Sequence, residues 1–546
     1  MLYLRKSFPK IQNMAGTRKF PHTYVIVFFI VVFVALLTWV VPGGSYSREQ
    51  VVVNGTEREV IRSDSFSFTE NHPQTWQLFS AIFDGFVERA DIIVFILMIG
   101  GAFWILNETR AIDAGIRAFL RKSKGLEKHR WVRRLGADNL VVVLIMLIFS
   151  VFGATFGMSE ETIAFVIIFV PLAIGMGYDS IVGVSLCFVA AALGFAGALL
   201  NPFTIGIAQG LSGLPLFSGI EYRFFCWVVI NLAGFGYILW YMRKLRRHPQ
   251  ASPVYREDDH WRALHAENSS EIEYFRPKSA WILYGALSLL FVAVAVRWPL
   301  TDLKIGLTTS SLPVMPVLAV LFLVAGFLSL RKSVHFFILN LLMFTVFLLI
   351  AGVMGYQWYV MEIATLFFAL GIAGGIAMNY SPNTITRLFL DGARDILSAA
   401  LIVGLAGGII VILERGEIID TLLYYASSAM DGLGKTATVS VMYLIQTGIN
   451  ILIPSGSAKA ALTMPIMSQF SDLVGLSRQA TVMAFQFGDG FTNLITPTSG
   501  VLIGVLGVAK IPFAKWVRWV TPLMVILILL GFLLLIPTVT MTLNGF

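Results

Sequence analysis

The feature that most constrains this chain is a succession of apolar runs, each close to the length needed to cross a bilayer. An α-helix rises 1.5 Å per residue, so a hydrocarbon core of ~30 Å takes about 20 apolar residues. Runs at 24–41, 281–296, 314–330, 336–355 and 523–536 with its flanks reach or approach that length. Charged residues form only 13% of the 546 and the mean hydropathy is +0.78, whereas a soluble domain carries about 25% charged residues. The chain is therefore expected to be an all-α polytopic membrane protein, because hydrocarbon offers no water to satisfy open backbone groups. The first run follows Arg5, Lys6, Lys10, Arg18 and Lys19 and ends in Val41-Pro42-Gly43-Gly44. That ending reads as a turn rather than a small-residue cleavage site, so a retained first span is expected.

A net charge of +8 would suit nucleic acid in a soluble protein. In a membrane protein the same excess marks cytoplasmic loops, and no nucleic-acid partner is expected. Basic clusters occur at the N-terminus, around Arg121, Lys122, Lys124, Lys128, Arg130, Arg133 and Arg134, and across 243–262. Arg331-Lys332 and the Lys510, Lys515, Arg518 group complete the set. Segments 46–77, 300–312 and 414–435 are mixed or acidic and suit the opposite side. Threading the chain through these constraints, with a cytoplasmic N-terminus, predicts about 11 transmembrane helices. They lie near 24–41, 90–107, 180–211, 222–242, 280–297, 314–330, 335–355, 359–378, 396–413, 478–508 and 517–537. Two apolar pairs, 138–176 and 437–475, remain. Charge alone cannot separate paired spans from re-entrant hairpins.

The chain also repeats itself. Asp84-Gly85, Gly100-Gly101, Ile105-Leu106 and Ile112-Asp113 recur as Asp391-Gly392, Gly407-Gly408, Ile412-Leu413 and Ile419-Asp420, at a constant offset of 307 residues. Further on, Gly157-Met158-Ser159 aligns with Gly456-Ser457-Ala458, and Asn201-Pro202-Phe203-Thr204 with Thr496-Pro497-Thr498-Ser499. The charge map starts one repeat outside and the other inside, so the two are inverted. Inverted repeats are the pattern of carriers that present a midplane site alternately to two faces. A channel would need a continuous polar pore, and an enzyme a nucleophile–base pair that the sequence does not offer.

Four polar, Gly/Pro-rich segments interrupt the apolar stretches. They are 153–161 (GATFGMSEE), 201–204 (NPFT), 454–459 (PSGSAK) and 487–500 (FGDGFTNLITPTSG). Pro202 and Pro497 each remove a backbone donor and break the helix before them. One such break is ordinarily a kink sealed by neighbouring hydroxyls. Four at matching positions of two repeats favour a ligand cavity, where half-helix N-termini receive carboxylates and freed carbonyls and hydroxyls receive Na⁺. The same Gly/Ser tips favour re-entrant hairpins for 138–176 and 437–475. Substrate contacts are expected from Ser455, Gly456, Ser457, Asn201, Pro202, Thr204, Thr496, Thr498, Ser499, Gly157 and Ser159.

Intramembrane charges are costly unless paired or functional. Glu160 and Glu161 sit at the first tip, Lys459 at the equivalent place in the second, and Asp489 in the last break. Lys459 is a candidate for an ion pair with one of these carboxylates. Glu160, Glu161, Asp489 and Asn493 are expected to meet a coupling Na⁺ or H⁺, or the amino group of a substrate. Glu362, Asp84, Asp391, Asp113 and Asp420 fall at span ends and read as interfacial caps or salt bridges. Cys187 and Cys226 lie in apolar stretches and the seven histidines are scattered, so no disulfide framework or metal cluster is indicated. No phosphate loop, zinc motif or nucleophile elbow occurs; neither a cofactor nor catalysis is expected.

At these motifs the sequence resembles the YfcC family of bacterial inner-membrane proteins, which is similar to the anaerobic C4-dicarboxylate carriers of the ion transporter superfamily. The residues carrying the resemblance are Phe156 to Glu161, Asn201-Pro202-Phe203, Ser455 to Pro465, and Phe485 to Phe491. It runs from about 24 to 247 and again from about 383 to the end, leaving 256–381 less well matched. Members are described as candidate basic amino acid antiporters or dicarboxylate-type carriers. The resemblance implies an elevator-type transporter in the bacterial inner membrane, a small carboxylate or amino acid as partner, and a homodimer. The expected organisation is a first span and external loop (1–78), a first inverted repeat (79–247), connecting spans (248–381) and a second inverted repeat (382–546).

Overall fold

The computed structural model describes residues 23–53, 56–62, 65–126, 136–267, 272–305, 308–428, 430 and 432–546. The basic N-terminal cluster and Lys128, Arg130, Arg133 and Arg134 lie outside the described residues.

Eleven of the described helices are long and apolar enough to cross a membrane. The number agrees with expectation, but its membership differs by one exchange. Asp138–Thr155, expected as a hairpin arm, reaches span length by itself. The stretch 478–508 instead divides into Arg478–Thr492 and Gly500–Ala509, neither of which does. Among the described residues, three small two-stranded antiparallel sheets decorate the connecting segments: 48–53 with 56–61, 44–45 with 67–68, and 301–305 with 308–312.

The repeated glycines explain how the halves meet. The first repeat opens with Gln77–Glu88 and Ala90–Glu108, separated at Arg89, whereas the second opens with one helix of 34 residues, Pro382–Arg415. A Cβ on Gly85 would lie 2.2 Å from the Gly408 nitrogen, one on Gly407 2.5 Å from the Gly85 oxygen, and one on Gly392 2.4 Å from the Gly100 oxygen. Position 85 thus meets 407–408 while 100 meets 392, so the two repeat-opening segments cross antiparallel. Only glycine allows backbones so close. Two of the flanking acids form salt bridges: Asp84 pairs with Arg415 at 2.5 Å, and Asp420 with Arg48 at 3.4 Å.

Beyond the crossing, each half holds a helix–turn–helix pair and a broken helix. In the first half these are Ala137–Phe156 with Thr162–Gly175, then Ser180–Gly197 followed by 202–211. In the second they are Lys435–Leu452 with Gly456–Leu473, then Arg478–Thr492 followed by Gly500–Ala509. Each broken helix starts on a side-chain cap. Asp179 accepts from the Val182 nitrogen and Ser477 from the Ala480 nitrogen, satisfying donors that a helix start leaves open. The first arms pack against the broken helices: Gly153 and Gly194 approach Ala191 and Ser150 backbone, and Gly488 approaches Gln446. The two broken helices meet where Gly490 faces Ala196, with a built Cβ only 2.5 Å from the Ala196 Cα. Gln486 Nε2 donates to the Phe195 oxygen at 2.7 Å, reaching a carbonyl in the last turn before the first break. The breaks are therefore brought together by packing of their own flanking turns.

Candidate functional site

At the second tip, the helix Lys435–Leu452 stops before Pro454, and a new helix starts at Gly456. Its N-cap Ser455 makes no side-chain capping bond. The first turn therefore offers unpaired N–H groups and the positive end of a helix dipole. The break in the neighbouring helix is held against this tip by hydroxyls. Thr498 Oγ1 donates to the Ile451 oxygen at 2.7 Å and lies 2.9 Å from Thr496 Oγ1. Asn450 Nδ2 donates to Thr492 Oγ1 at 2.7 Å, to Asn493 Oδ1 at 3.0 Å and to the Asp489 oxygen at 3.2 Å. Ser499 then caps the half-helix Gly500–Ala509 through the Leu502 nitrogen at 3.3 Å.

The first tip is built differently. Ala137–Phe156 ends on Gly157 with φ +72°, a left-handed turn that suits glycine. A Cβ there would also lie 2.6 Å from Asn201 Oδ1. Asn201 accepts from the Phe203 nitrogen at 2.9 Å, starting the segment after the break, while its Nδ2 has no partner. Ser159 and Glu161 close the turn, the Ser159 nitrogen donating to Glu161 Oε2 at 3.0 Å. Among the described residues, no salt bridge engages Glu160 or Glu161.

Between the tips lies a cavity of about 390 Å³, within the ordinary range for a small-molecule site. Gly157, Ser159, Glu160, Glu161, Thr204, Ser455, Gly456, Ser457, Asn493, Thr498 and Ser499 line it. All four predicted breaks are thereby represented. Others stand behind the wall: Asn201, Lys459 and Asp489 are fully buried and Thr496 nearly so. Pro202 opens the segment after the break. Lys459 Nζ lies 3.0 Å from Asp489 Oδ1, which makes the anticipated ion pair.

Other lining residues carried no signal in the motif reading. Arg89 and Asp91 enter from the interruption between Gln77–Glu88 and Ala90–Glu108, and Trp358 and Tyr359 from the connecting region. The turn before Val360–Ala377 aims the last two inward. Gln357 there is left-handed at φ +56°, and Glu362 Oε2 accepts from the Tyr359 nitrogen at 3.0 Å. Tyr359 reaches across to Phe203, ring centroids 6.2 Å apart. A left-handed turn between two apolar spans leaves no polar break to read. Arg89 and Asp91 had a visible sign, two charges flanking the start of a span.

The lining is chemically two-sided. Asp91, Glu160 and Glu161 outnumber Arg89, while Ser455, Gly456 and Ser457 present hydroxyls and helix N–H groups. One end suits a cation and the other an anion.

A multi-pass helical protein folded around such a cavity is built as a membrane transporter, and comparison with known proteins agrees. The chain matches the model of DcuC, the C4-dicarboxylate anaerobic carrier, over residues 20–540, and it belongs to that family. An Escherichia coli K12 protein named "Putative basic amino acid antiporter YfcC" is 32% identical, with 91% of this chain and 92% of that protein covered. An uncharacterized Haemophilus influenzae protein is 27% identical, with 96% and 98% covered. Solved structures resemble it loosely. The Alcanivorax borkumensis YdaH transporter matches at 15% identity and a TM-score of 0.39, covering 95% of this chain and 98% of that one. Neisseria gonorrhoeae MtrF matches at 16% and 0.37, covering 96% of each. At such scores the likeness supports no inference about mechanism.

Proposed function

We propose that the protein is a secondary active transporter of a small carboxylate-bearing solute, and that this solute is an amino acid, with basic ones favoured. The observation that carries the reading is the two-sided cavity. The substrate carboxylate would meet the N-terminal turn at Ser455, Gly456 and Ser457, and its ammonium groups would face Glu160, Glu161 and Asp91. The name of the Escherichia coli relative points the same way. Transport would follow from movement of 138–211 and 437–508 against the remaining spans, with the hairpins re-entrant and coupling to a cation gradient or a counter-solute. The bacterial inner membrane, a cytoplasmic N-terminus and a homodimer complete the proposal.

A second reading, a C4-dicarboxylate or short-chain carboxylate carrier, is favoured by the family's own description. A dianion would meet like charge at the first tip and would need co-bound cations to offset it. Flux into proteoliposomes with labelled arginine, ornithine and succinate separates the two. Saturable arginine or ornithine exchange is expected; succinate uptake with no amino acid exchange refutes the preferred reading.

A further inference from the structure

The Lys459–Asp489 pair lies within one residue of the cavity. Both side chains are completely buried. The ammonium is closed in on three sides: by Asp489 at 3.0 Å, by the Gln446 oxygen at 3.4 Å, and by the face of Phe485, whose centroid is 4.9 Å away. The other carboxylate oxygen turns toward the cavity wall. A Cβ built on Gly456 would come 3.0 Å from Asp489 Oδ2 and 2.7 Å from Thr204 Cγ2, and Gly456 itself lines the cavity. A single glycine therefore separates Asp489 from the place where a substrate carboxylate would sit.

An unneutralised Asp489 would repel that carboxylate through a wall with little dielectric to screen it. Carriers commonly solve this with a co-bound cation. Oxygens of the right chemistry sit on residues that border the pair: Thr204 Oγ1, Gln446 Oε1 and Asn450 Oδ1 are buried without hydrogen-bond partners, as is Asp489 Oδ2. Hard oxygen donors of this kind suit a hard cation. Yet the chain places its own ammonium on Asp489.

We propose that Lys459 is a built-in counter-cation: its ammonium permanently occupies the place at Asp489 that an inorganic cation would otherwise fill, so that anion recognition at the second tip needs no bound Na⁺. The inference rests on the carboxylate-binding role proposed above. It differs from a plain structural ion pair in one respect. Removal of the ammonium must uncover a Na⁺ site.

Thermal unfolding of the purified full-length protein, in NaCl or in choline chloride at equal ionic strength and pH, tests this without any substrate. The wild type is expected to unfold at the same temperature in both salts. Lys459→Met is expected to unfold about 5 °C higher in NaCl, saturating with concentration as a bound ligand does. Lys459→Met combined with Asp489→Asn should lose that response, and Lys459→Arg should never acquire it. A Lys459→Met protein as indifferent to Na⁺ as the wild type overturns the proposal. So does a wild-type Na⁺ response that Asp489→Asn removes. Should Lys459→Met be recovered folded in neither salt, Lys459→Gln is judged by the same two outcomes. Failure of transport itself would show in the flux assay and leave these unfolding results unchanged.

Discussion

The two tips occupy equivalent places in the repeats, yet they solve opposite problems. At the first, Glu160 and Glu161 line the cavity. At the second, the equivalent position to Glu160 is Lys459, which turns away from the cavity to pair with Asp489 in full burial. What remains facing inward there is Ser455, Gly456 and Ser457, hence hydroxyls and helix N–H groups. The same helix–turn–helix pattern thus presents carboxylates at one tip and Ser and Gly at the other.

The comparison breaks most readily at Gly456. Gly456→Val would drive a side chain into Thr204 and Asp489, and a loss of flux of about a hundredfold or more is expected, with membrane insertion retained. Retained flux would mean that the second tip does not contact the solute. Next comes the acidic end. Replacing Glu160 and Glu161 together by Gln removes the acidic pair; one charge there, at ~6 Å and an effective dielectric near 20, is worth roughly 2–3 kcal/mol toward a cation. Arginine and ornithine exchange should fall roughly tenfold to a hundredfold while succinate uptake does not, as competition assays would record. Equal losses for all three solutes would erase the distinction between the tips. A smaller effect is expected at Asn450, whose amide ties the second hairpin to Thr492 and Asn493. Asn450→Ala should cost about 1–3 kcal/mol by leaving buried groups unpaired, seen as a lower unfolding midpoint. The smallest belongs to the surface pair Arg478–Asp472, 2.6 Å apart but 37% and 47% exposed. Asp472→Asn should cost less than ~1 kcal/mol, and less still in high salt.

The chain breaks were legible because their chemistry is local. Proline stops a helix wherever it stands, and Gly157 and Gly456 announced turns before any fold was known. The repeat was legible for a related reason, since Gly85, Gly392, Gly407 and Gly408 are glycines under a steric demand that only backbone contact imposes. Tertiary direction was harder to read. Thr496 and Thr498 are neighbours in sequence, but only Thr498 reaches the cavity, and its hydroxyl already donates to Ile451. Asn201 faces Gly157 rather than the cavity, because the glycine leaves room for its amide. Trp358 and Tyr359 come from a region of plain apolar spans, where placement depends on packing between elements distant in sequence. The arm Asp138–Thr155 shows the limit of length as a criterion, since the same 18 residues satisfy both a full span and one side of a hairpin.

The glycine crossing between the repeat-opening helices carries a last consequence. With main chain pressed on main chain at Gly85, Gly407 and Gly408, even one added methyl group on either partner must push the pair apart. That junction behaves as a welded seam: at Gly85 the nearest atoms are all main chain, so a substitution there cannot be compensated by trimming a side chain on the other partner. At Gly85 the seam leaves a built Cβ only 2.2 Å from the partner main chain, so the two helices can move there only together.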